Sequence, residues 1–156
     1  MKGKYFHKPL RNKNIDYRKG QFFVTIQVAH NKSVLGAIVG ERVILNELGR
    51  SVQAVLEGLP LKYPELELGE YVVMPNHIHA IITIDTAVDK DLSYVIGQYK
   101  SVVSKRVHQF YPELEVWQRS FHDHVIRNQK RYDLIWNYIE NNPLKWKEDC
   151  FYLRDT

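Results

Sequence analysis

The stretch from Val72 to Ile84, VVMPNHIHAIITI, constrains this chain more than any other. Pro75-Asn76 is a turn signal, and the run from Ala80 to Ile84 is apolar apart from Thr83, so the segment reads as a hairpin whose second strand is buried. Alternate side chains of an extended strand share a face, so His77 and His79 project together while Ile78 points the other way. Two imidazoles leaving a buried strand side by side read as half of a metal site, or as a structural pair.

The remaining pattern supplies elements to surround that hairpin. Phe22 to Ala29 alternates as a first strand, and Val39 to Leu45 reads as a short strand or extended arm. Asn46 is a fitting N-cap for a helix in which Leu48, Val52, Val55, Leu56 and Leu59 recur at helical spacing, with Gly58 near the stop. From Asp91 to Phe110, residues Leu92, Val95, Ile96, Tyr99, Val103, Val107 and Phe110 form one apolar stripe of a second helix, whose other side carries Lys100, Lys105 and His108. Val116 to Ile126 then reads as a last strand, and Asn128 to Asn142 as a terminal helix stopped by Pro143. The order strand, helix, strand, strand, helix, strand, helix predicts an α+β fold, a ferredoxin-like antiparallel sheet with helices on one face plus one C-terminal helix. Such a fold hosts many functions and names none.

At 156 residues the chain fits a single domain, read here as a basic arm over 1–19 followed by one unit over 20–156. One cysteine, Cys150, rules out an internal disulfide and fits a reducing compartment. No stretch approaches the roughly 18 apolar residues of a membrane span, and the basic N-terminus is followed by polar residues, so a soluble cytoplasmic protein is expected. The net charge of +4 is concentrated: Lys2, Lys4, Lys8, Arg11, Lys13, Arg18 and Lys19 face a lone Asp16 in the first nineteen residues, interleaved with Tyr5, Phe6 and Tyr17. That mixture suits phosphate contact with base stacking, and it equally suits a solvated arm.

A histidine pair needs a further ligand and an open position before it can do chemistry. A second pair, His122 and His124, shows that the motif alone does not identify the site. On the terminal helix, Tyr132, Ile135, Trp136 and Ile139 form the buried face, and Asp133, Asn137, Glu140 and Asn141 point to solvent. Tyr138 and Asn142 fall between these sectors, four residues apart on one edge. From this geometry Tyr138 is either a packing residue with a wet hydroxyl or a group that meets a surface site.

Taken in order, VVMPNHIHAIITI, VWQRSFHDHVIRN and YIENNPLKW resemble the REP-associated tyrosine transposases, a branch of the single-tyrosine His-hydrophobic-His transposases, over roughly residues 20 to 147. The resemblance implies that His77 and His79 bind a divalent metal ion, Mg²⁺ or Mn²⁺, that Tyr138 is the nucleophile, and that Asn142 matches a polar position able to complete the metal shell. His124 matches a family position near the end of the last strand, His122 is less typical, and neither is assigned to the metal. Tyr99, in the middle of an apolar stripe, is expected in the core. The implied reaction is attack by Tyr138 on single-stranded DNA bearing a hairpin, such as a repetitive extragenic palindrome, giving a 5′-phosphotyrosine and a free 3′-hydroxyl. Rejoining reverses it and needs no nucleotide cofactor, in keeping with the absence of a Gly-rich phosphate loop.

A free phenol has a pKa near 10, so only about one in a thousand is ionised at pH 7 and charge stabilisation by a metal would matter. Lys8, Arg11, Lys13, Arg18, Lys19, Lys100, Lys105 and Arg127 are the candidate DNA contacts. Two other readings stay open: a non-catalytic nucleic-acid-binding module, and a metal-dependent phosphodiesterase that uses water. The short connection from Arg127 to Lys130 also fits a homodimer whose terminal helices serve either their own site or the partner's.

Overall fold

The computed structural model describes residues 15–85 and 90–146. Four strands, β1 (Gly20–Gln27), β4 (Leu66–Met74), β5 (His77–Ile84) and β6 (His122–Val125), form one antiparallel sheet in the order β4-β5-β1-β6. Strands β2 (Gly36–Val39) and β3 (Arg42–Leu45) pair separately, joined at Gly40, which sits in the left-handed region at φ 64°. The helices are α1 (Glu47–Glu57), the one-turn α2 (Leu59–Lys62), α3 (Leu92–His108) and α4 (Gln129–Glu140). Three longer helices begin at side-chain caps: Asn46, Asp91 and Asn128 accept from the amides of Gly49, Tyr94 and Arg131.

The pleat sorts the side chains of the central strands into two unequal cores. Phe22, Val24 and Ile26 of β1 join Ile78, Ala80, Ile82 and Ile84 of β5 on one face, where α1 and α3 cover them with Val52, Leu56, Leu92, Val95, Ile96, Tyr99, Val103 and Val107. On the opposite face Ile81 and Ile126 meet Ile139 of α4, with Phe23, Val72, Tyr132, Ile135 and Trp136 packed around them. His77 and His79 have the parity of Ile81, so they lie on the α4 face. The helix carrying Tyr138 therefore roofs the histidines instead of joining the other helices.

Four expectations are refined by tertiary contacts. The segment Val39–Leu45 is the second half of a hairpin, since Gly36 to Val39 pairs with Arg42 to Leu45. Strand β4 starts at Leu66 and crosses a bulge between Leu68 and Tyr71, a break that hides its alternation. The last strand is interrupted: Val116–Gln118 pairs with the end of β1 through the single Val28–Trp117 bridge, and β6 proper is His122–Val125, while Lys100 Nζ donates to the carbonyls of Gln118 (2.8 Å) and Ser120 (2.7 Å) and holds the intervening loop against α3. Phe110 lies beyond the end of α3 and is 78% exposed, so the apolar stripe stops at Val107.

Candidate active site

Strand register brings the site together. In the β1–β5 ladder Thr25 faces His79 and Gln27 faces His77, so two polar residues of β1 stand beside the two imidazoles. Both histidines are fully buried, and their rings meet edge to face with centroids 4.5 Å apart. Thr25 Oγ1 lies 2.8 Å from His79 Nδ1, and Asn76 Oδ1 lies 2.7 Å from His77 Nδ1. With Nδ1 of each ring engaged, Nε2 is the atom placed for ligation.

Burial holds the rings neutral. It pushes His77 down to about pH 3, an effect opposed by the neighbouring Asn142 carboxamide, and it pushes His79 well below the ordinary histidine range, helped by proximity to His77. Neutral imidazole is the form that binds a metal.

Helix α4 brings Tyr138 to this floor. Its hydroxyl lies 3.5 Å from His79 Nε2, and its ring meets that of His79 edge to face at 5.2 Å and Phe23 at 6.1 Å. At 37% exposure Tyr138 occupies the edge between the buried and solvent faces, as its position in the helix predicts. Asn142 sits past the α4 C-cap, where its backbone N–H donates to Ile139 O at 3.2 Å, and its side chain is turned inward and is only 2% exposed. Its buried Oδ1 has no hydrogen-bond donor among the described residues. Trp146 stacks on His77 with centroids 6.2 Å apart and closes that side of the site.

These groups fit a divalent ion. Two neutral imidazoles and an orphaned amide oxygen converge from β5 and the end of α4, and a buried oxygen without a donor is costly unless something occupies it. Among the described residues no cluster of three or more His, Cys, Asp or Glu offers an alternative site. His122 and His124 face the same side of the sheet but are engaged elsewhere: His122 Nε2 lies 3.1 Å from Gln27 Oε1, and His124 stacks on Phe23 at 6.4 Å.

Tyr99 is a core residue, 1% exposed, with its hydroxyl donating to the Val52 carbonyl at 2.9 Å. Burial drives its pKa far upward, which suits a phenol that stays protonated. Of the candidate DNA contacts, Lys19, Lys105 and Arg127 are exposed, and Arg18 is exposed but paired with Asp16 at 3.1 Å. Lys100 is committed to the Gln118 and Ser120 carbonyls, while Lys8, Arg11 and Lys13 lie outside the described residues. Sequence reasoning missed Thr25, Phe23 and Trp146, and it read Asn76 only as a turn residue. Strand register would have exposed Thr25, but register is not legible in a single sequence.

Comparison with known proteins agrees with this architecture. Residues 30–142 match the family described as IS200-like transposases. A Haemophilus influenzae protein of unassigned function is 31% identical over 97% of this chain and 96% of its own length. The REP-associated tyrosine transposase of Escherichia coli K12 is 33% identical over 79 residues, covering 51% of this chain and 45% of that protein. A solved REP-associated tyrosine transposase bound to a REP hairpin shares the fold, with a TM-score of 0.67 at 24% identity over 88% of this chain and 74% of that one. The histidine-bearing hairpin, the tyrosine helix laid across it and the match over most of the chain lead to one conclusion: this protein belongs to the IS200-like transposase family, and REP-associated tyrosine transposases are among its relatives there.

Proposed function

We propose that this protein cleaves and rejoins single-stranded DNA bearing a hairpin through a 5′-phosphotyrosine formed on Tyr138. The observation that carries the reading is the 3.5 Å approach of the Tyr138 hydroxyl to His79 Nε2, on the same chain and beside the buried Asn142 oxygen. His77, His79 and Asn142 would hold a divalent ion, Mg²⁺ or Mn²⁺, which when bound supplies charge stabilisation to the phosphoryl oxygens. Tyr138 Oη attacks the phosphorus, the new bond is Tyr–O–P, and the bond broken is that between phosphorus and the 3′ oxygen. The phenol loses its proton to water at the exposed edge of α4, and the departing 3′ oxygen takes one up. Phe23 and His79 hold the phenol ring between them, which limits the arc through which the hydroxyl can swing.

The substrate reading draws on the relative solved with a REP hairpin. Unpaired bases beside a hairpin are open to stacking and edge contacts. Lys19, Lys105 and Arg127, exposed on this chain, and the basic residues of the N-terminal arm are the proposed backbone contacts; Lys100 is left to its structural bonds. The test is a trapping experiment with 3′-labelled hairpin DNA and Mn²⁺, read by denaturing electrophoresis. A label that migrates with the protein is expected. Cleavage without a protein-bound label would point instead to a water-using phosphodiesterase, and binding without cleavage to a non-catalytic module.

A further inference from the structure

Behind His77 lies a pair of contacts whose polarity is fixed by a backbone carbonyl. Asn76 is fully buried, and its Nδ2 donates to the Asn31 carbonyl at 3.3 Å. A carbonyl only accepts, so the carboxamide of Asn76 must turn its oxygen towards His77, and Nδ1 of His77 must carry the proton. Further out, the Gln27 carboxamide lies between the Asn31 side chain, at 3.3 Å, and His122 Nε2, at 3.1 Å. Asn31 meets both carboxamides because its backbone is left-handed, at φ 54°, a conformation that asparagine tolerates better than most residues. On the other ring Thr25, 5% exposed, faces His79 Nδ1 at 2.8 Å, and the Tyr138 phenol on Nε2 favours the same Nδ1–H form.

We propose that Asn76 and Thr25 are positioning residues that hold His77 and His79 as Nδ1–H tautomers with Nε2 presented to the site, the Asn31 carbonyl fixing the orientation of Asn76. The proposal rests on the metal-site reading above but makes a claim that holds without metal. Asn76 thus serves both the turn and the ring beside it, while Thr25 is supplied by β1 across the ladder. Outer partners of this kind commonly alter metal affinity by about 10- to 100-fold when removed.

The first measurement is long-range ¹H–¹⁵N correlation of the histidine rings in metal-free wild-type protein. Nδ1–H signals for both His77 and His79 are expected; an Nε2–H tautomer at either ring overturns the assignment for that ring, whatever the protein does with metal or DNA. The second compares Thr25→Val, nearly isosteric but without a hydroxyl, with Thr25→Ser, which keeps one. Mn²⁺ affinity, followed by electron paramagnetic resonance, should fall about tenfold or more in the valine variant and recover in the serine variant, with metal-free hairpin affinity unchanged. Wild-type Mn²⁺ affinity in Thr25→Val, or no recovery in Thr25→Ser, would refute the role of the hydroxyl. Absence of Mn²⁺ binding in wild type alongside the expected tautomers would instead reject the metal reading and leave the positioning network standing.

Discussion

Two tyrosines of this chain sit in opposite circumstances. Tyr138 presents its hydroxyl at a helix edge beside His79, and Tyr99 spends its hydroxyl on the Val52 carbonyl inside the main core. Tyr138→Phe is expected to abolish cleavage and the covalent adduct while leaving hairpin affinity within a few-fold, as measured by trapping and by binding titration. Tyr99→Phe should keep activity and lose about 1 kcal/mol of stability in chemical denaturation, the ordinary worth of one hydrogen bond plus the cost of a stranded carbonyl. The histidines differ in the same way. His77→Ala or His79→Ala should reduce Mn²⁺ affinity in calorimetric titration far more than His122→Ala, whose ring contacts Gln27. Loss of metal binding in His122→Ala alone would move the site to the other pair.

At the scale of elements, Lys100 belongs to the loop before β6. Removing its ammonium with Lys100→Met should lower stability by on the order of 1 kcal/mol, since two bonds from a charged donor disappear at a partly exposed position, and should leave the salt dependence of hairpin binding unchanged. A reduced salt slope would return Lys100 to the DNA surface. This residue also shows where sequence reading stops. Helical spacing placed it correctly opposite the apolar stripe of α3, but the carbonyls it reaches come from a loop eighteen and twenty residues away. Local periodicity and capping made α1, α3 and α4 legible, with Asn46, Asp91 and Asn128 at their starts. The His77/His79 pair was legible because strand alternation is itself local. Thr25 was not, because it depends on which strand pairs with β5 and in what register. The segment before β6 was read as continuous strand because Val116, Trp117 and Phe121 are buried, yet only Trp117 bridges the neighbouring segment, at Val28, before the loop that leads to β6.

For the molecule as a whole, the neutral buried histidines set an acid limit. The unfolded chain protonates histidine near pH 6.5, while the folded protein keeps His77 neutral down to about pH 3 and His79 neutral well below its ordinary range. Below about pH 6.5 the unfolded state therefore binds more protons, and stability falls as pH falls, by up to about 1.4 kcal/mol per pH unit for each ring. Denaturant midpoints of the chelator-treated protein should thus drop between pH 7 and pH 5, and His77→Gln should flatten the profile. Charge gives another global test. Ile15 and Tyr17 pack against the main core and the Tyr17 carbonyl accepts from Leu92, so a deletion of residues 1–14 strips basic residues while keeping these two in the chain. For every phosphate that the shortened protein no longer neutralises, the slope of log affinity against log salt should fall by roughly 0.7 to 0.9, and a change of about two to three units is expected. An unchanged slope would mean that the arm is merely solvated.

The unequal cores on the two sides of the sheet carry a consequence for how such a protein can decay. The floor bearing His77 and His79 is secured by the large cluster under α1 and α3, whereas the roof rests on Ile81, Ile126 and Ile139 and the half-buried rings around them. Mutations that loosen or erase α4 would remove the proposed nucleophile and one proposed ligand together yet spare most of the buried apolar surface. A lineage under no pressure to cut DNA could shed its chemistry in this way and keep a stable sheet, so in descendants of this chain an intact histidine pair would be poor testimony to catalysis, and the Tyr138–Asn142 edge would be the better witness.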